Sequence, residues 1–157
     1  MSVVLPGLQV RRLEPADLPA VVALEQSVYP SPWPAEHFAR IMDLPGAIGR
    51  AAILSDGSLA GYALGWIAGD EAELANLAVA RVQRRRGVGG RLLDAMCEVA
   101  RERGAGRMYL EVRVSNAAAR SFYLRHGFAA TGRRRDYYRH PREDAVTMAV
   151  DLAGGET

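Results

Sequence analysis

The chain contains no lysine: all 20 of its basic residues are arginine. Without a lysine it cannot supply the phosphate-gripping G-x-x-x-x-G-K-[ST] loop, so a P-loop nucleotidase is excluded. Cysteine is nearly absent as well. Cys97 stands alone, so no internal disulfide can form and a zinc cage of thiolates is ruled out. A reducing, cytoplasmic setting fits that usage. No stretch reaches the ~18 consecutive apolar residues that a membrane helix needs. Met1 to Gly7 carries neither a basic n-region nor a long apolar h-region, which predicts no signal peptide. The three histidines, His37, His126 and His140, fall in separate elements without metal-ligand spacing, so no metal site is expected.

What is present is ordinary in bulk and uneven in detail. At 157 residues, with 49% apolar and 24% charged side chains, the sequence reads as one globular domain, residues 1–157. Residues 1–80 hold 4 Arg against 9 acids, and residues 81–157 hold 16 Arg against 9 acids, giving −5 and +7. A basic half suits a phosphate-bearing partner, or else is a solvated arginine face.

Periodicity sets out the elements. Leu8 to Leu13 reads as a strand. Pro15 and Asp17 open a helix whose apolar positions are Leu18, Val21, Val22, Leu24 and Val28. Tyr29-Pro30-Ser31-Pro32-Trp33-Pro34 is a stiff aromatic loop, because its prolines fix φ and remove donors. A second helix covers Ala35 to Met42. Strands at Ala47–Leu54 and Leu59–Ile67 are joined by an Asp56-Gly57 hairpin turn, and a third runs from Glu73 to Val79. A helix follows over Val88–Arg103, then a strand over Met108–Val112 and a helix over Asn116–His126. Gly127 caps that helix, and strands at Phe128–Arg133 and Ala145–Leu152 end the chain. The strand–helix–strand unit from Glu73 to Val112 requires a parallel pair, and the hairpins require antiparallel ones. A mixed sheet with helices on its faces follows, in the α/β (α+β) class.

Arg84-Arg85-Arg86-Gly87-Val88-Gly89-Gly90 lies between a strand end and a helix start. Glycines let backbone N–H groups approach a ligand, a helix N-terminus favours anions, and neighbouring arginines add charge-assisted hydrogen bonds. A diphosphate ligand is one reading; a glycine turn flanked by exposed arginines is the other. The dinucleotide pattern G-x-G-x-x-G fails, because Leu92 holds its last position.

Arg84-x-x-Gly87-x-Gly89 resembles the [QR]-x-x-G-x-[GA] acetyl-CoA motif of the GNAT acetyltransferases. Asn76-Leu77-Ala78-Val79, Leu110-Glu111-Val112-Arg113, Ser115-Asn116-Ala117-Ala118-Ala119, Tyr123, Gly127-Phe128 and Arg142-Glu143-Asp144-Ala145 resemble its RimI-type branch. That branch acetylates the N-terminal alanine of a small-subunit ribosomal protein. The resemblance implies a GNAT fold: a mixed sheet of about seven strands, splayed in the middle, with about four helices. It implies acetyl-CoA as cosubstrate, no metal, and direct attack within a ternary complex.

The resemblance also assigns roles. Glu111 becomes the general base. From the strand alone it reads rather as a half-wet glutamate paired with Arg113 or Arg107. Tyr123 becomes the acid for the leaving thiolate, where aromatic spacing alone would make it core. Leu77, Ala78 and Val79 supply main-chain groups to the thioester and pantetheine from a bulged strand. Arg84, Arg85, Arg86, Gly87, Val88, Gly89 and Gly90 hold the diphosphate. Asn116, with Ser115 a candidate helix cap, also touches the cosubstrate. Trp33, with Tyr29 and Phe38 near it, and Tyr137 and Tyr138 in the loop before the last strand, form two walls of an acceptor groove. Asp70, Glu71 and Glu73 attract a cationic peptide N-terminus. The expected partner is a protein N-terminus, with no DNA and no membrane, for a monomer or weak dimer. The sequence departs from the branch at Pro34, usually Ser, and in the added Arg133–Arg135. Two rivals stay open: a GNAT enzyme for a small amine or a lysine side chain, and a non-enzymatic RNA-binding module.

Overall fold

A computed structural model describes residues 6–152. Most of the Met1–Gly7 segment, from which no signal peptide is expected, lies outside the described residues. The first strand is β1 (Gln9–Arg12), followed by a 3-10 turn at Pro15–Asp17. There Glu14 and Asp17 form a reciprocal cap, and Arg11 binds Asp17 through both guanidinium nitrogens (2.8 and 2.9 Å). Next come α1 (Leu18–Val28), α2 (Ala35–Met42), β2 (Ala47–Ile53), β3 (Leu59–Ala68) and β4 (Glu71–Val79). The chain ends with α3 (Val88–Glu102), β5 (Arg107–Arg113), α4 (Ala117–Arg125), β6 (Ala129–Arg139) and β7 (Arg142–Asp151).

The seven strands form one sheet in the order β1-β2-β3-β4-β5-β7-β6. Every pairing is antiparallel except β4 with β5, which is parallel as the crossover through α3 requires. This is the mixed sheet, with helices on its faces, that the element order requires. One face of the sheet carries α3, whose Leu92, Leu93 and Met96 pack with Leu74, Met108 and Leu110. The other carries α1 and α2, whose Val21, Leu24, Phe38 and Ile41 pack on Tyr62 and Leu64. Gly65 has no Cβ for a reason: one added there would lie 2.0 Å from the Glu73 carbonyl oxygen, so only glycine lets β3 and β4 close at that point.

The last two strands differ from expectation. β6 and β7 are 11 and 10 residues long, and Arg134–Tyr138 belong to β6 rather than to a loop. Nearly every β6 residue is exposed, so it lacks the apolar alternation that marks a half-buried strand. A register break between Arg134 and Tyr138, with Asp136 at φ 50°, re-aims the side chains there.

Candidate active site

β4 and β5 pair over only three residues each, Glu71–Glu73 with Arg107–Tyr109. Beyond that point they part, leaving a V between Leu74–Val79 and Leu110–Arg113. The register with β3 shifts between Leu64 and Gly65, so Ala75 is an extra residue on β4. The bulge therefore lies two residues before Leu77 and reverses the alternation of side chains beyond it. Asn76 then faces α1, while Leu77 and Val79 turn toward the α3 face.

A cleft of about 700 Å³ follows the V. Trp33, Leu77, Glu111, Asn116, Tyr123 and Tyr138, residues singled out from the sequence, all line it. Tyr137 does not. It is 46% exposed and stacks edge-on against Tyr138, with ring centroids 5.0 Å apart.

Glu111 sits on β5 between buried Leu110 and Val112, on the face away from α3. Its side chain is only 10% exposed. The arginine beside it is Arg134 of β6, with Nε 3.4 Å from Oε2, and not Arg113 or Arg107. Those two are engaged elsewhere: Arg113 binds Glu143 at 3.2 Å, and Arg107 pairs with Asp151 at 3.5 Å. Tyr123 reaches the cleft from α4 on the opposite face, held edge-on by Phe122 and Phe128. Burial raises its phenol above the ordinary value, helped by Tyr29 and Tyr138 across the cleft. It therefore stays protonated at neutral pH, as a proton donor must. Among the described residues its hydroxyl has no hydrogen-bond partner. Tyr29 donates to the Leu77 carbonyl (2.6 Å) and is pushed up to about 12, chiefly by burial. Asn116 caps α4 by accepting from the Ala119 N–H at 3.1 Å. The Ser115 N–H beside it donates to Glu143 (2.6 Å).

The Arg84–Gly90 turn leads into α3. Arg84, Arg85 and Arg86 are exposed, and Arg85 (φ 65°) and Gly87 (φ 79°) both adopt left-handed backbone. Among the described residues, the N–H groups from Arg85 to Gly90 find no protein acceptor. The first intrahelical bond is Arg91 N–H to Gly87 C=O. Such unpaired donors at a helix start form an anion cradle. The last two glycines also serve packing. A Cβ on Gly89 would sit 3.3 Å from the Phe122 ring, and one on Gly90 would sit 3.0 Å from His126, so both let α4 close on α3. Among the described residues no group of three or more His, Cys, Asp or Glu side chains could hold a metal. Burial pushes the Cys97 thiol up to about 11, the wrong direction for an acyl-carrying nucleophile.

One functional-looking cluster was not read from the sequence. Glu25 is 2% exposed, yet accepts hydrogen bonds from Tyr62 Oη, Asn76 Nδ2 (2.9 Å) and the Trp33 backbone N–H (3.0 Å). It ties α1 to β3, to β4 and to the Trp33 loop. The signal was available: with Val21, Leu24 and Val28, Glu25 completes an i, i+3, i+4, i+7 stripe, and a charge there must be paired.

A helix-flanked sheet, split between two strands and holding a carboxylate and a phenol in its opening, is acyltransferase architecture. The acetyltransferase (GNAT) family profile matches residues 18–128, and the chain belongs to that family. It is 35% identical over 148 residues to the [ribosomal protein bS18]-alanine N-acetyltransferase of Escherichia coli K12, covering 90% of this chain and 95% of that protein. It is 37% identical over 144 residues to the N-alpha-acetyltransferase RimI of Mycobacterium tuberculosis, covering 87% of each. The crystal structure of the ribosomal-protein-S18-alanine N-acetyltransferase from Escherichia coli superposes with a TM-score of 0.85 at 34% identity, covering 96% of this chain and 98% of that one.

Proposed function

We propose that this protein transfers the acetyl group of acetyl-CoA to the N-terminal α-amine of a ribosomal protein, with the alanine of bS18 as acceptor. The observation that carries this reading is that Glu111 and Tyr123, on opposite faces of the sheet, line one cleft where β4 and β5 part. The residues present suit the cosubstrate. The unpaired N–H groups of Arg85–Gly90 and the exposed Arg84, Arg85 and Arg86 match a diphosphate in charge and in donors. Acetyl-CoA supplies an activated acyl group as a thioester.

The chain supplies the rest. An α-amine with a pKa of about 7.7–8.0 is largely ammonium at neutral pH, so a base must take a proton before the nitrogen can attack. Glu111 is the carboxylate in reach of the opening. Tyr123, neutral and unpaired, protonates the departing sulfur. The main chain of Leu77–Val79, next to the Ala75 bulge, would hold the carbonyl oxygen and the pantetheine arm. Asn116 would complete the cosubstrate contacts, and Trp33 and Tyr138 line the cleft where the acceptor enters, with Tyr137 stacked on Tyr138. The protein works in the cytoplasm, where a ribosomal acceptor is found; among the described residues no helix is long and apolar enough to cross a membrane.

The test is tandem mass spectrometry of purified bS18 after incubation with this protein and acetyl-CoA. One acetyl group on the alanine α-amine is expected. Acetylation confined to lysine side chains or to small amines such as polyamines would move the protein to another branch of the family. RNA binding without acetyl transfer would overturn the enzyme reading.

A further inference from the structure

Glu73 is the last β4 residue paired with β5 before the strands part, in register with Tyr109. Paired residues of a parallel ladder share a face, and Glu111 lies two residues past Tyr109, so Glu73 and Glu111 point the same way. Glu111 is thus the diagonal neighbour of Glu73 on that face, a spacing that two long side chains can bridge. Two carboxylates meeting half out of water repel strongly, and a proton between them removes that cost.

The surrounding groups decide which partner holds the proton. Arg134 lies 3.4 Å from Glu111 and pairs with it. Glu73 has no such donor. The Tyr109 hydroxyl beside it is spent on Glu71 (3.1 Å), Arg107 leans on that same hydroxyl, and Arg113 is bound to Glu143. Burial and the charge of Glu111 raise Glu73 above the usual carboxylate range, with Arg134 opposing only weakly.

We propose that Glu73 is a positioning residue for the transfer: its protonated carboxyl donates a hydrogen bond to Glu111 and aims that carboxylate at the acceptor amine. The inference rests on the reading of Glu111 as the base. Glu73 keeps its own proton throughout. The ammonium gives one proton to Glu111 before attack; as the N–C bond forms the nitrogen sheds a second to water, the C–S bond breaks with the sulfur taking the proton of Tyr123, and water returns a proton to Tyr123. No other reactant is consumed.

Two measurements test it. Carbon-detected NMR of the glutamate carboxyls, with the Glu73 signal assigned by its loss in Glu73→Gln, should show Glu73 titrating above the ordinary value of about 4.3. In Glu111→Gln that midpoint should fall, because the neighbouring charge is gone. In steady-state assays with acetyl-CoA and a synthetic alanine-starting peptide, Glu73→Ala should lower kcat roughly tenfold or more, with little change in KM. Glu73→Gln, a neutral donor of the same shape, should recover most of that loss. A Glu73 midpoint unmoved by Glu111→Gln, or a Gln variant no better than Ala, overturns the proposal. If the wild type acetylates no such peptide, the functional reading fails, and the titration still decides whether the two carboxyls share a proton.

Discussion

β3 reads LAGYALGWIA and buries six consecutive residues, Ala60 to Gly65, whereas β5 reads RMYLEVR and buries only every second one. The difference follows from what covers each strand. β3 is sandwiched between α3 and the α1–α2 pair, so both faces must be apolar. β5 is backed by the α3 side alone, and its other face displays Tyr109, Glu111 and Arg113. The helices on that side reach only as far as β4, where Glu25 anchors them through Asn76. The closed arm of the sheet therefore carries stability, and the open arm carries side chains able to do chemistry. They meet where β4 and β5 separate.

Substitutions on the two arms should fail in different ways. The largest effect belongs to the open arm: Glu111→Gln should cut kcat by about 10²–10⁴. Calorimetry should find acetyl-CoA affinity intact and thermal unfolding little changed. Tyr123→Phe should slow thiol release by about a hundredfold, read by trapping free CoA with a thiol reagent. On the closed arm the order reverses. Phe38→Ala removes a fully buried ring packed on Tyr62 and should cost about 3–5 kcal/mol in denaturant unfolding. Tyr137→Ala on the open arm should stay within about 0.5 kcal/mol of wild type and appear in the peptide KM instead. A stable Phe38→Ala or an unfolded Tyr137→Ala would erase the distinction between the arms.

The smallest effect concerns Asp17, which the hydrogen bond from Arg11 holds below the usual carboxylate range. A lowered folded-state value means the contribution is present above the unfolded value, near 3.9, and is lost as pH falls through the folded one. Asp17→Asn should cost about 0.5 kcal/mol at neutral pH and nothing once the wild-type carboxyl is protonated. Urea unfolding at several pH values checks this.

The closed arm was the more legible from sequence. The Asp56-Gly57 turn, the strands it joins and the helical stripes of α1 and α3 obey periodicity, because burial on a fixed face writes itself into residue order. The open arm obscures that signal. β6 is exposed along its length, so Arg134–Tyr138 read as loop, and the Arg134 contact to Glu111 crosses 23 positions of sequence with no local pattern to mark it. Glu111 and Tyr123 themselves were picked out by family resemblance, since each alone is also an ordinary strand or core residue. Glu25 is legible only through its place in the α1 stripe, where a charge must be buried and paired. The Ala75 bulge left no signature, because alanine fits either register.

A crystal structure with coenzyme A and an alanine-starting peptide tests the central claim most directly. The account predicts the diphosphate on the N–H groups of Arg85–Gly90 and the sulfur near the Tyr123 hydroxyl. It predicts the peptide amine at Glu111, directly or through one water. A coenzyme bound outside the parting of β4 and β5, or a peptide N-terminus turned away from Glu111, would contradict it.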